Sequence, residues 1–348
     1  MAQVLNDRAG NAVQAAATGM NAARVAQTIL NSGVQDRQGR FVFGAEYVAR
    51  WGGYSWALSA SPYAASEGKL SRFRATYEWE IEPKLALGAD GIYLDSVSNW
   101  CHLPNYRREH LERSRHPLTF TCLDPAPAQL GVWHHYEFIE YLSNDLHRRG
   151  RLLMANIFPY EWVFFNHRLD VMGHEVWGAN DLEKRRAQRT LAYHKPYTWL
   201  MQQGDAGAAA DREKWMQQAM LYGIAPNVVG GAPQAARYEK WRPLYKTYMP
   251  VIIALGEAGW EPVTHAAVEP GAVLLERFGP KDGTLFLTAC NPGTQALTVT
   301  ITVDAAALGF TSPAKAVRLP GGRELAVVAN RFQDTLEPGV TCGYRLGQ

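Results

Sequence analysis

The sequence predicts an α/β protein, a (β/α)8-type barrel lacking its first strands, with an antiparallel β-sandwich appended to its C-terminal side. Three observations carry this. From the middle of the 348-residue chain onward, short apolar runs alternate with amphipathic helical segments, as parallel strands joined by crossover helices require. Beyond Trp260 the texture changes to alternating strands separated by Gly, Pro and Asn turns, with no long helix. The strands countable between Trp56 and Val229 number about six, two short of the eight that close a barrel. The expected boundaries are therefore a barrel domain over 1–259 and a sandwich over 260–348.

Element by element, an Ala-rich helix over about 11–31 opens the chain with no strand before it, which points to missing opening strands. Residues 41–47 and 56–61 read as strands, and 70–87 as a helix. A strand over 91–95 is followed by a long loop rich in Pro, Arg and His. The series then runs helix 133–149, strand 152–157, strand 169–176, helix 181–194, strand 197–202, helix 211–222, strand 224–229 and helix 238–255. The sandwich strands are GAVLLERF, GTLFLTACNP, ALTVTITVD and AKAVRLPG.

Composition narrows the partners. The chain is 47% hydrophobic, enough for a large core, and its 35 Lys plus Arg nearly balance 33 Asp plus Glu without a basic run, so nucleic acid is not an expected partner. No stretch approaches the roughly 18 apolar residues of a membrane span. The N-terminus, MAQVLNDRAGNAVQAAATGM, lacks the basic start and apolar core of a signal peptide, so a native N-terminus would make the protein cytoplasmic. The 11 Trp and 16 Tyr residues, some in loops such as Arg50-Trp51-Gly52-Gly53-Tyr54-Ser55-Trp56, suit the faces of sugars as well as a core. A neutral or small polar ligand fits best. The four cysteines lack CxxC spacing, and Cys101 and Cys122 read as free thiols more readily than as a disulfide. Val229-Gly230-Gly231-Ala232 has neither GxGxxG nor a P-loop lysine, so no nucleotide cofactor is expected.

Polar residues at the C-terminal ends of barrel strands mark the active site. In GADGIYLDSVSNW, Asp95 ends an apolar strand, and Asn156, Glu175 and Gln202 end later ones, with Glu161 in the intervening loop. A carboxylate so placed is either a structural ion pair or a working group, because burial without a partner costs several kcal/mol. Two carboxylates across a cleft are what glycosidic cleavage requires, one to stabilise or capture an oxocarbenium-like centre and one to protonate the leaving oxygen. Asp95, short and directly after Gly91-Ile92-Tyr93-Leu94, is the nucleophile candidate. Glu175 is the acid/base candidate, since Val176 and Trp177 would desolvate it. The structural alternatives are a turn cap through Ser96 or Ser98 for Asp95, and a pair with Arg185 or Arg186 for Glu175. Trp51, Trp56, Tyr93, Trp100, Asn156, His174, Trp177 and Gln202 are the expected substrate contacts. His134-His135 with Glu137 lacks the spacing that puts two ligands on one helix face, so no metal is expected.

The segment GADGIYLDS, the strand and helix series and the terminal sandwich together resemble the catalytic region of α-active glycoside hydrolases, the assembly of α-galactosidases, α-amylases and endo-α-N-acetylgalactosaminidases. The resemblance implies that Asp95, ending the fourth strand, is the nucleophile of a retaining enzyme on an α-linked sugar. It makes the strand at 169–176 the sixth, where α-galactosidase-like members keep the acid/base, here Glu175. The chain departs from the pattern in carrying Tyr93 where amylases have Arg and α-galactosidases Lys, and Glu where the second group has Asp. The endo-α-N-acetylgalactosaminidase pattern fits Asp95 best, but places its acid/base after the fifth strand, which would promote Glu161. Two other classes stay open: a non-catalytic carbohydrate-binding or degenerate barrel, and a metal-dependent hydrolase supported only by the histidines.

Overall fold

A computed structural model describes residues 22–44, 55–95, 97, 101–121, 124–156, 162–176, 182–201, 209–228, 232–311 and 313–347. The chain divides into two compact units, the first comprising Met1–Ile157 with Phe164–Asp170 and the second Phe158–Val163 with Val171–Gln348.

The described part of the first unit begins with helix α1 (Ala22–Ser32), followed by an antiparallel pair, β1 (Phe43–Gly44) against β2 (Ser55–Trp56). This corrects the expectation of a strand at 41–47 and of a barrel strand at 56–61. Backbone bridges Gln35↔Phe41 and Gly33↔Leu58 continue the same antiparallel excursion, and Trp56 pairs with Phe43 rather than with a parallel neighbour. The expected helix over 70–87 is a continuous run of α2 (Arg72–Thr76), a π-helical turn (Tyr77–Ile81) and α3 (Glu82–Ala86). Ser71 starts it, its side chain accepting the Arg74 N–H at 3.2 Å.

Strand β3 (Gly91–Leu94) follows. Between it and the next helix the expected loop is built structure, in which β4 (Pro104–Asn105), β5 (Thr119–Thr121) and β6 (Asp124–Leu130) form an antiparallel sheet in the order β4-β6-β5. Pro125 and Pro127, which give no N–H to a ladder, hide β6 from a pattern search. One-turn helix α4 (Arg108–Leu111) carries His110, whose Nδ1 accepts from Asn105 Nδ2 at 3.0 Å while Nε2–H donates to the Asn31 carbonyl at 3.3 Å. Helix α5 (Gly131–Arg148) buries Val132, Ile139, Leu142 and Leu146 along one stripe and leads into β7 (Leu152–Asn156). Each of those side chains contributes about 1.5–3 kcal/mol by leaving water. Arg149 ties the end of α5 to Glu82 of α3 at 2.7 Å. Strands β3 and β7 are parallel, with Gly91 opposite Leu152 and Leu94 opposite Ala155. Gly91 is obligatory for this pairing, because a Cβ there would lie 2.4 Å from the Leu152 carbonyl oxygen.

The second unit contains β8 (Val171–Val176), α6 (Leu182–Ala192), β9 (Tyr197–Met201), α7 (Ala209–Leu221), β10 (Ala225–Val228) and the long helix α8 (Ala232–Ala258). β8, β9 and β10 are consecutive parallel strands, the alternation of strand and helix having been legible in the sequence. The described residues thus hold five parallel strands, two in the first unit and three in the second. From Trp260 the strands are antiparallel, as expected. They are β11 (Trp260–Glu261), β12 (Ala266–Glu269), β13 (Leu274–Lys281), β14 (Thr284–Cys290), β15 (Leu297–Val303), β16 (Lys315–Leu319), β17 (Glu324–Ala326), β18 (Arg331–Leu336) and β19 (Thr341–Gly347). They form a six-stranded sheet β11-β13-β14-β19-β16-β17 and a three-stranded sheet β12-β15-β18. Leu285, Leu287, Val299, Ile301, Phe332 and Leu346 fill the space between the sheets. This layer joins the helices through Thr288, whose hydroxyl donates to the Leu221 carbonyl at 2.6 Å.

Candidate active site

The site grows from the carboxyl end of β3. Because Leu94 lies opposite Ala155, the next rung sets Asp95 beside Asn156, the last residue of β7. Their side chains meet, with Asn156 Nδ2 donating to Asp95 Oδ1 at 2.9 Å. Tyr93, two residues before Asp95 and so on the same face, is 46% exposed, and its hydroxyl donates to the same Oδ1 at 3.1 Å. Asp95 itself is exposed. A carboxylate standing open to solvent at the end of a parallel strand, oriented by an amide and a phenol, is able to act as a nucleophile or to stabilise a developing cation.

The backbone just beyond Asp95 is anchored. The Val97 carbonyl accepts from His135 Nδ1 at 2.8 Å and from the Cys101 thiol at 3.4 Å, and Val132 N–H donates to the Cys101 carbonyl at 2.8 Å. His135 is held neutral, its pKa pushed down to about 4 chiefly by loss of hydration, and His134 beside it is held well below the ordinary histidine value chiefly for the same reason. Within the first unit His135 thus donates to the backbone, while His134 accepts from the Ala60 N–H at 3.4 Å. Among the described residues no group of three or more His, Cys, Asp or Glu side chains could hold a metal ion. His135 is a positional residue that the sequence reading did not assign; its partner lies 38 residues away, and only the adjacency of two histidines marked the spot.

The remaining expected residues distribute as follows. Trp56 belongs to the β1–β2 hairpin, half-buried, with its ring 5.1 Å from that of Phe43. In the second unit His174, 3% exposed on β8, has its pKa pushed down to about 3 by burial and by the charges of Arg185 and Lys184. Glu175 follows it on β8, opposite Leu200 of β9. Of the two arginines weighed as partners for Glu175, Arg185 donates to Gln188 at 3.0 Å and Arg186 lies 3.9 Å from Glu276. Glu161, Trp51, Trp100, Trp177, Gln202 and Cys122 lie outside the described residues. So the structure brings together three of the expected residues, Asp95, Asn156 and Tyr93. No described helix is long and apolar enough to cross a membrane.

No protein-family model matches the chain, and no curated protein sequence does. Solved structures do. A GH27 β-L-arabinopyranosidase from Geobacillus stearothermophilus is 13% identical, with a TM-score of 0.53 over 88% of this chain and 67% of its own. An α-galactosidase I from Mortierella vinacea is 12% identical with a TM-score of 0.42, covering 61% of this chain and 63% of that one. A GH30 endoxylanase from Clostridium papyrosolvens, also 12% identical, gives a TM-score of 0.39 over 61% of this chain and 60% of that one. The chain therefore spans less than two thirds of the endoxylanase and of the α-galactosidase. The likeness to the arabinopyranosidase is one of fold.

Proposed function

We propose that this protein is a glycoside hydrolase, acting with retention on an α-linked sugar, with Asp95 as the nucleophile and Glu175 as the general acid/base. The observation that carries the reading is the open carboxylate of Asp95 at the end of parallel strand β3, oriented by Tyr93 and Asn156, in a fold similar to that of a sugar-cleaving enzyme. The domain reading goes with it: a barrel over 1–259 carries the chemistry and the sandwich over 260–348 supports it.

In the first step a lone pair of the Asp95 carboxylate forms a bond to the anomeric carbon while the glycosidic C–O bond breaks. The departing oxygen keeps the bonding pair and takes a proton from the acid/base carboxyl. In the second, water attacks the same carbon, gives its proton to that carboxylate, and the ester bond returns its electrons to Asp95. Glu161 is the alternative proton donor. Trp51, Trp56, Trp100, Trp177, His174 and Gln202 would line the sugar subsites. An oligosaccharide or simple glycoside is the ligand, and the chemistry needs no cofactor.

A panel of aryl α- and β-glycosides tests the activity, with NMR of the first-formed anomer reporting retention. Turnover of an α-glycoside is expected. Binding of sugars without turnover of any glycoside would replace the enzyme by a carbohydrate-binding protein. Glu175→Gln and Glu161→Gln, each with added azide, assign the acid/base: the true acid/base variant regains turnover as azide takes the place of the deprotonated water.

A further inference from the structure

A cavity of about 290 Å³ lies within the second unit, far along the chain from Asp95, and is bounded by both helices and sandwich strands. Its lining includes Gln217 of α7, Tyr248 of α8, Arg318 and Arg323 from the two sides of the β16–β17 turn, and Thr341 and Cys342 of β19. Two guanidinium groups line it and, among the described residues, no carboxylate does. We propose that this cavity binds a small oxyanion, a carboxylate or phosphate group held by the fork of Arg323 in the field of Arg318. The proposal stands apart from the reading of Asp95.

Charge is the first argument. Arg318 and Arg323 share one carboxylate, Asp334, whose side chain has 0% exposure and which does not line the cavity. The three groups together carry one net positive charge. Cys342 does not cancel it. Its sulfur lies 3.2 Å from Arg318 Nε and 2.8 Å from Nη2, but burial pushes the thiol pKa above its ordinary value, so the group stays neutral. Glu213 accepts from the Tyr248 hydroxyl at 2.8 Å and is likewise outside the lining. An anion meets the excess charge of the arginines, and a neutral ligand of the same size leaves it unmet.

Donor geometry is the second argument. A guanidinium offers five N–H donors in a rigid plane. Arg323 commits only Nη2, to Asp334 Oδ1, and its side chain makes no other hydrogen bond among the described residues. With that side chain 56% exposed, the rest of the fork is accessible, and such a fork pairs with carboxylate or phosphate through two parallel bonds. Gln217 is oriented from both ends: its Oε1 accepts the Thr341 N–H at 3.2 Å, and its Nε2 donates to Tyr248 Oη at 3.2 Å. The amide therefore keeps a second N–H, a neutral donor in the lining of the same cavity. The volume lies at the small end of ligand cavities, roughly 300–1,000 Å³, and suits a small molecule better than a polymer.

Calorimetric titration of the full-length protein at constant ionic strength tests the site, with inorganic phosphate, glucuronate and uncharged glucose as probes. Saturable binding of at least one anion is expected, with a raised melting temperature and with glucose at least about tenfold weaker. Saturation by phosphate alone would identify a phosphate ligand, and by glucuronate alone a sugar acid; either supports the site. Arg323→Gln should weaken anion binding at least about tenfold, and Arg323→Lys, which keeps a charge toward Asp334 but lacks the fork, about threefold or more. Arg108→Gln removes the same charge from an exposed arginine of α4 in the first unit and should leave affinity within about twofold. No saturable binding of either anion up to about 10 mM would overturn the proposal. So would glucose binding as tightly as the anions, or equal losses in Arg108→Gln and Arg323→Gln, which would mean diffuse attraction. If Arg323→Gln fails to fold, Arg323→Lys decides: weakened binding at an unchanged melting temperature supports the site, and wild-type affinity overturns it.

Discussion

Two aspartates, one in each unit, show what separates a carboxylate that holds a fold from one that is available to react. Asp334 lies in β18, whose residues alternate between exposed and buried, and it takes an inward place otherwise held by Phe332 and Leu336. Its side chain has 0% exposure, and its charge is met by Arg318, 3.3 Å from Oδ2, and by Arg323 on Oδ1. Tyr344 Oη and the Thr335 N–H add bonds of 3.0 and 2.8 Å. Asp95 is the opposite case: it stands exposed beyond its strand and takes bonds from a phenol and an amide. Burial sets the demand for counter-charge, so the buried carboxylate is saturated and its substitution is felt in stability. The exposed one makes little demand for counter-charge.

The largest expected effect follows from substituting each in the same way. On the proposed function, Asp95→Asn keeps shape and removes the nucleophile, so kcat on an aryl glycoside should fall by about three orders of magnitude or more, with the melting temperature near that of wild type. Asp334→Asn should do the reverse. It leaves two guanidinium groups without their counter-charge and should cost about 3–5 kcal/mol in denaturant unfolding, while activity per folded molecule is kept. A strongly destabilised Asp95→Asn whose folded fraction is fully active would abolish the contrast and with it the proposed function.

The next effect sharpens the comparison through pH. In the first unit burial pushes the pKa of His110 and of His135 down to about 4, and lowers His134 in the same sense. A histidine whose folded pKa lies below its unfolded value near 6.5 binds its proton more readily when unfolded. Its contribution is therefore complete above pH 6.5 and is lost as pH falls toward 4, at up to about 1.4 kcal/mol per pH unit for each group and less for half-buried His135. The second unit has mixed signs. His174, with its pKa pushed down to about 3, weakens it on acidification, whereas Glu276, raised by burial, favours the fold as pH falls toward the ordinary carboxylate range. Hydrogen exchange followed from pH 7 to 4.5 should show protection falling earlier in β3, α5 and β7 than in β13, β14 and β19. Simultaneous loss throughout would mean that the buried histidines do not set the acid response.

The same contrast explains what could be read from the sequence. The strand and helix series from 131 to 258 and the sandwich were legible because a helix stripe and a strand alternation repeat over many residues, so that errors at any one position are outvoted. The places of Asp95 and Asn156 at strand ends were legible because a polar residue that stops an apolar run is a local event. The β1–β2 pair and the β4-β6-β5 sheet were misread, as longer strands and as loop, because their strands are mostly two or three residues long and gain their order from distant partners. His110 with Asn31 and Asn105 is one such tie, and His135 with Val97 another. Such hydrogen bonds leave no period in the chain. The inward place of Asp334 was written in RFQDTL, but its two arginines are 11 and 16 residues away, across β-turns that the pattern does not pair.

The smallest expected effect tests whether burial, and not ion pairing as such, is what distinguishes the two aspartates. Lys315 and Glu324 stand on adjacent strands β16 and β17 of the sandwich, and their side chains pair at 2.5 Å, shorter than the contact of Arg318 with Asp334. By distance alone it would outrank the contact with Arg318. Both side chains are exposed, however, at 62% and 58%, so water solvates either partner once the other is gone, and fixing two long side chains costs entropy. Glu324→Gln should therefore change unfolding free energy by no more than about 0.5 kcal/mol, against several for Asp334→Asn, and added salt should erase even that difference. Equal losses for the two variants would show that pairing, regardless of burial, governs the carboxylates of this protein, and Asp95 would then have to be judged by its partners alone.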